Sequence, residues 1–344
     1  MQNPFLGVFL HAVGGFSAGS LYLPLKKINQ WSWESGWLVN GVFSWLLAPW
    51  IVASITVPDL LGILSKSDFG TVSWTYFFGV LWGVGGLTFG LTMRYLGIGL
   101  GMSIALGLTA VFGTLVPPIY DGSIDSIMNQ FSGQVVIFGV VVSLIGIGIC
   151  ALAGARKDAE LSESQKVEGV KEFNLKKGII VALFAGVMSS CFAFGIQAGK
   201  PLAEAASLTG TQPLWVNGPV FIMILFGGAT TNLTWCLVLN IKNGTYRDYI
   251  NKDQPLLRNY LFSTLAGAIW YCQYMFYGMG TTQMDKHDFV SWSIHMAFII
   301  IFSTLWGFVT REWNGVGKKT LSIVVAGLFI LILSTVIIGY GNSL

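Results

Sequence analysis

The sequence predicts an all-α integral membrane protein of ten transmembrane helices, arranged as two inverted five-helix halves. Three observations carry this reading. The chain is 53% hydrophobic and 10% charged, where an average soluble domain is about 25% charged. Ten apolar runs approach the ~20 residues that a bilayer span needs. One polar run, residues 156–177, rich in Glu, Lys and Ser, lies between the fifth and sixth of them. It divides the chain into a first half at 1–155, a linker at 156–177 and a second half at 178–344. An odd number of helices per half inserts the second half upside down relative to the first, an arrangement that suits alternating access.

Taken in order, the first span is expected at 4–25. No Lys or Arg precedes it, so it lacks the positive start of a signal peptide and is read as staying in the membrane. Spans follow at 35–57, 72–93, 97–120 and 133–154. Gly86 with Gly90, and Gly97 with Gly101, allow close helix approach, either as tight packing or as a hinge. Pro117 and Pro118 are expected to break the fourth span near its end. The second half gives 178–199, 214–239, 259–280, 289–309 and 320–341. Sixteen of the nineteen Lys and Arg fall in the loops after spans 1, 3, 5, 7 and 9; only Lys66, Lys200 and Lys286 lie opposite. The positive-inside rule puts the sixteen in the cytoplasm and both termini outside.

Polar residues inside spans are functional candidates, because lipid offers them no partner. His11 shares a face of the first span with Gly15, Ala18 and Tyr22. An imidazole suits proton exchange near neutral pH; the alternative is a histidine bonded to a neighbouring helix. Glu34, at the start of the second span, either carries a coupling proton or stabilises its helix N-terminus. Lys200 and Glu204 are spaced for an ion pair, with snorkelling of Lys200 as the alternative, and Gln197 lies deeper. The eighth span carries Trp270, Gln273, Tyr274 and Tyr277 on one stripe, either packing or the mixture of rings and amide that binds a small neutral polyol. In the ninth, Asp288 is read as interfacial, with Trp292 and His295 further in. Asn217 and Asn232 are polar in the seventh, where interhelical bonding competes with a ligand role.

The same reading excludes other classes. The sequence carries no phosphate loop, no GxSxG and no HExxH, so neither an ATP-driven pump nor a catalytic site is expected. The four cysteines share no ligand spacing, and with three histidines a metal site is not expected. No basic patch has aromatics interleaved for nucleic acid.

Several stretches together resemble the L-rhamnose–proton symporters of the drug/metabolite transporter superfamily. They are His11 with Tyr22-Leu-Pro-Leu-Lys-Lys27, Trp31-Ser-Trp-Glu34, Gly90 to Gly97, Glu172 to Gly178, Lys200-Pro201 with Glu204, Trp270-Tyr271 with Gln273 and Tyr277, Ser291-Trp292 with His295-Met296, and Glu312-Trp-Asn314. The resemblance implies a ten-helix carrier of the bacterial inner membrane. It would import L-rhamnose, and also L-lyxose or L-mannose, with a proton or alternatively sodium as coupling ion. Its partners would be sugar, proton and lipid, with no obligate protein partner and no cofactor. The residues expected to meet the sugar are Gln273, Trp270, Tyr274, Tyr277, Gln197, Asn232, Tyr22 and Trp292. Those expected to couple the proton are Glu34, His11 and His295. The alternative within the superfamily is a drug or metabolite exporter; outside it, a membrane enzyme or scaffold subunit.

Overall fold

A computed structural model describes residues 2–96, 98–160 and 174–344. Helices occupy nearly all of them, and no strand occurs among the described residues. In chain order they are α1 (Pro4–Ser20), α2 (Tyr22–Leu25), α3 (Trp33–Gly41), α4 (Ala48–Thr56), α5 (Leu60–Lys66), α6 (Phe69–Leu96), α7 (Ile98–Tyr120), α8 (Ile124–Met128), α9 (Phe131–Glu160), α10 (Leu175–Ala198), α11 (Lys200–Leu208), α12 (Gly218–Asn243), α13 (Leu256–Thr281), α14 (Ser291–Val309) and α15 (Lys318–Ser343).

A helix, or a run of abutting helices, stands at each of the ten apolar runs. By length and hydropathy, however, eight candidate spans qualify among the described residues. The two left out are α13 and α7, of which the apolar stretch Ile104–Tyr120 is counted among the described residues. In α13 the reason is compositional: Trp270, Gln273, Tyr274 and Tyr277 lower the hydropathy of a helix long enough to cross a bilayer.

Two local expectations change. α7 runs through Pro117 and Pro118 to Tyr120 instead of breaking at them. The pair Gly86 and Gly90 brings no helix close, since nothing lies within 4 Å of a Cβ built on either. The close approach on α6 is made by other glycines, Gly85 against the backbone of Ser189 being one. Gly97 lies outside the described residues, as do Lys166, Lys171 and Glu172 of the linker. The first linker residues extend α9 to Glu160. Asn174 caps α10, accepting from the Lys177 backbone N–H at 3.0 Å.

Between α3 and α4 the chain winds as a π-helix, Val42–Leu47. Pro49 explains the widening. It has no N–H to give the Trp45 carbonyl one turn back, and its ring crowds that carbonyl. π-segments of this kind are frequent at functional sites. The core gathers α1 against α13 and α14, α6 against α10 and α12, and α9 against α15. The α1, α13 and α14 group, together with α10 and α12, positions the site.

Candidate functional site

A cavity of about 450 Å³ opens at one end of the bundle. Gln197, Lys200, Glu204, Asn217, Tyr277, Asp288 and Trp292 supply its polar and aromatic lining, and Ala193, Ile196, Val216 and Phe289 its apolar part. The volume lies in the ordinary range for a small-molecule pocket. Three residues expected at the site therefore meet there: Gln197, Tyr277 and Trp292.

Behind Tyr277 lie the two histidines. The His11 ring sits 5.4 Å from Tyr277 and 6.1 Å from His295, and His295 sits 5.2 Å from Tyr277. His11 is wholly buried, and neither of its ring nitrogens has a hydrogen-bond partner. Two glycines make room for the rings. A Cβ on Gly280 would stand 2.7 Å from the His11 ring, and one on Gly14 would stand 3.0 Å from the His295 ring. The Trp292 indole N–H donates to the Thr109 carbonyl at 3.0 Å, which fixes its ring at the base of the cavity.

Phe192, which no sequence signal singled out, is stacked on Trp292 at 5.4 Å and tilted against Tyr274 at 5.2 Å. From there aromatic rings continue away from the cavity: Tyr274 to Trp82 and Trp270, then Trp270 to Trp37, and Trp37 to Trp33. Trp270 and Tyr274 thus lie in this deeper column and not in the cavity lining. Gln273 is buried beside them, its backbone carbonyl against Gly14. Several buried polar atoms along α3, the π-segment and α13 have no protein partner: both amide atoms of Asn40, the hydroxyls of Ser44 and Ser263, and the indole N–H of Trp37. Asn232 stands apart, donating to the Gly83 carbonyl on α6 at 3.2 Å, which is interhelical bonding, and to the Gly228 carbonyl one turn back on its own helix at 3.1 Å. Tyr22 is half exposed on α2 and does not line the cavity.

The other end of the column is clamped. Glu34 accepts from the Asn243 amide and the Thr245 hydroxyl, both at 2.9 Å. Asp248, one turn of chain further on, accepts from the Ser32 N–H and hydroxyl and from the Ser35 hydroxyl, at 2.8–2.9 Å. It caps α3 from a distant part of the sequence, satisfying first-turn donors that a helix leaves open. Asn29 and Asn259 exchange two bonds, at 3.1 and 2.8 Å. Lys26 reaches Glu312 at 2.9 Å. Burial opposes ionisation of Glu312, but the Lys26 hydrogen bond and charge, with Lys157 beyond, hold its carboxyl below the ordinary range.

The ion pair read as Lys200 with Glu204 is instead Lys200 with Asp288, at 3.2 Å. Asp288 is a cavity residue as well as an interfacial one. Its spacing of four and seven residues before Trp292 and His295 was the available signal. Among the described residues no three His, Cys, Asp or Glu side chains gather as metal ligands.

The family profile described as L-rhamnose-proton symport protein matches residues 1–343. A protein of Citrobacter koseri named L-rhamnose-proton symporter is 36% identical over 342 residues, 98% of each chain. Proteins of Shigella sonnei and Shigella flexneri with the same name are 36% identical over 344 residues, again 98% of each chain. All three names describe transporters and not enzymes.

Proposed function

The chain belongs to the L-rhamnose–proton symport family, and on that premise we propose that it imports L-rhamnose with protons across the bacterial inner membrane by alternating access. The observation that carries this is the cavity floored by Tyr277 and Trp292 with a buried histidine pair directly behind them. L-rhamnose is a 6-deoxyhexose, with one apolar methyl and several hydroxyls. Ring faces suit its C–H surface, the Gln197 amide suits its hydroxyls, and Ala193 and Ile196 suit the methyl. L-lyxose and L-mannose differ from it only at that carbon, so both belong to the proposed substrate range. The symporter names of the relatives lend nothing to export.

The cavity end is the outward, periplasmic one, since the Lys- and Arg-rich loops lie at the other. Both termini then face the periplasm, and α7 and α13 join the eight apolar spans as two inverted five-helix halves. Sugar at the cavity base covers Tyr277 and so shields the histidine pair from the outside. A neutral imidazole has one bare ring nitrogen, so His11 or His295 takes a proton without surrendering a bond that the fold depends on. Like charges so close disfavour a second proton, so the pair shares one. When the clamped end opens inward, Trp270, Gln273 and Tyr274 line the path that the sugar leaves by. There it satisfies the partnerless groups of that column. Glu34 completes the coupling: a proton on its carboxylate weakens the bonds from Asn243 and Thr245 and releases the clamp.

The test is uptake of L-rhamnose into proteoliposomes of the purified protein, with and without an imposed inward proton gradient. Gradient-driven accumulation that a protonophore collapses is expected; uptake indifferent to proton and dependent on sodium would replace the coupling ion. The Glu34→Gln variant should retain counterflow exchange and lose accumulation. Accumulation at the wild-type level in that variant would remove Glu34 from the coupling.

A further inference from the structure

The Lys200–Asp288 pair occupies an unusual position. It lines the cavity that holds Tyr277 and Trp292, and it also lines a second cavity of about 350 Å³ beside it. That second space is walled by Asp121, Ser123, Ser126 and Gln130, so it is polar. Pro117, Gln197 and Phe289 border both cavities along with the pair. The ion pair therefore stands on their common wall.

Its strength is low. The N–O distance is 3.2 Å, and the two side chains are 44% and 43% exposed. Ion pairs this wet are worth at most about 1 kcal/mol. The pair is too weak to act as a structural lock, and its Coulomb attraction is easily exchanged for bonds to a ligand. Its chemistry fits one kind of ligand well. A carboxylate offers two acceptor oxygens, which two neighbouring hydroxyls of a polyol satisfy together. An ammonium offers three donors to hydroxyl or ring oxygens. Gln197, bordering the same wall, adds both a donor and an acceptor. Charged partners give the stronger hydrogen bonds, so a neutral sugar gains more from this wall than from the amides deeper in.

Resting on the carbohydrate reading above, we propose that Lys200 and Asp288 are substrate-contacting, specificity-determining residues. The sugar enters the larger cavity, parts the ion pair on its wall, and holds its vicinal hydroxyls against Asp288 and Lys200 while its ring lies on Trp292 and Tyr277. The pair thus selects for a vicinal diol.

Equilibrium binding of L-rhamnose to the detergent-solubilised full chain, by titration calorimetry, tests this. The variants are Asp288→Asn, Lys200→Gln and the charge-inverted double Lys200→Asp with Asp288→Lys. A panel of analogues, each lacking one ring hydroxyl, completes the set. Asp288→Asn is close to isosteric on a half-exposed group, and an unchanged melting temperature verifies its folding. Each single variant should weaken binding about tenfold to a hundredfold. Inversion should not restore it, although inversion would restore a merely structural pair. One analogue should bind wild type weakly yet lose nothing further on Asp288→Asn, because the bond it lacks is the one the variant has already lost. Wild-type affinity in Asp288→Asn, or full rescue by inversion, or additive losses across every analogue, would each overturn the proposal while leaving the carbohydrate reading intact. No binding of L-rhamnose by the wild type would overturn both.

Discussion

The two ends of the helical bundle are held together by different chemistry. At the clamped end, buried carboxylates accept from neutral donors: Glu34 from Asn243 and Thr245, Asp248 from Ser32 and Ser35. Glu34 and Asp248 are each less than a tenth exposed. At the cavity end the Lys200–Asp288 ion pair stands nearly half in water. Hydrogen bonds to a charged group are worth about 1.5–3 kcal/mol each when buried, and a solvated ion pair about 0–1 kcal/mol. The difference teaches that one end rests on hydrogen bonds to buried carboxylates and the other on an ion pair that water reaches.

The most direct way to break this contrast is to remove Asp248. Asp248→Ala removes the acceptor shared by the Ser32 N–H and the Ser32 and Ser35 hydroxyls, leaving the hydroxyls to each other at 2.7 Å, and should destabilise the clamped state by about 1.5–3 kcal/mol. Cys236 is a free, buried thiol on α12 close enough to Glu34 to feel its charge. With the other three cysteines replaced, maleimide labelling of Cys236 should rise strongly in Asp248→Ala. Labelling that stays at the background level would show that the clamp does not govern opening at this end.

A smaller effect sharpens the comparison from the cavity side. Gly280→Ala puts a methyl 2.7 Å from the His11 ring and should cost about 1–3 kcal/mol through overpacking, lowering the melting temperature and the uptake rate together. Gly86→Ala, with nothing within 4 Å, should stay within about 0.5 kcal/mol of wild type. Equal penalties at the two positions would mean that the histidine pocket is not the constrained region.

The smallest effect concerns the solvent-facing rim of the clamp. Glu312 has a lowered pKa in the folded state. Its contribution is therefore present above the ordinary carboxylate range and is lost as pH falls through the folded value. It is 42% exposed, so the loss is small. Acidification below the ordinary Glu value of about 4.3 and on through the lower folded value should erase the melting-temperature difference between wild type and Lys26→Ala; a difference that persists there would assign it to packing of the lysine stem.

Much of this architecture was legible in the amino-acid order, because apolar length marks a span wherever it occurs. Helices stand at all ten runs, and His11, Gln197, Tyr277, Trp292 and His295 gather at one end. The depth of the eighth-span stripe was not legible. Trp270 and Tyr277 share a helix face, yet seven residues separate them by about 10 Å along the axis. One stripe therefore reaches both the cavity and the deeper column. Asp248 and Asn243 gave no signal, since their partners lie more than 200 positions away in sequence and periodicity says nothing about which loops meet. The π-segment was equally silent: Pro49 announces a disturbance but not which way the ladder adjusts.

The tight fit of Gly280 on His11 and Gly14 on His295 also bears on how such a sequence drifts. Either histidine shrinking alone leaves a hole, and either glycine growing alone strikes a ring. The four positions are therefore epistatic. A lineage or a directed-evolution library crosses between solutions by paired changes, with the methyl of Gly280→Ala tolerated once His11 has become small. Single-site scans would rank all four as costly to change, although the constraint belongs to the set.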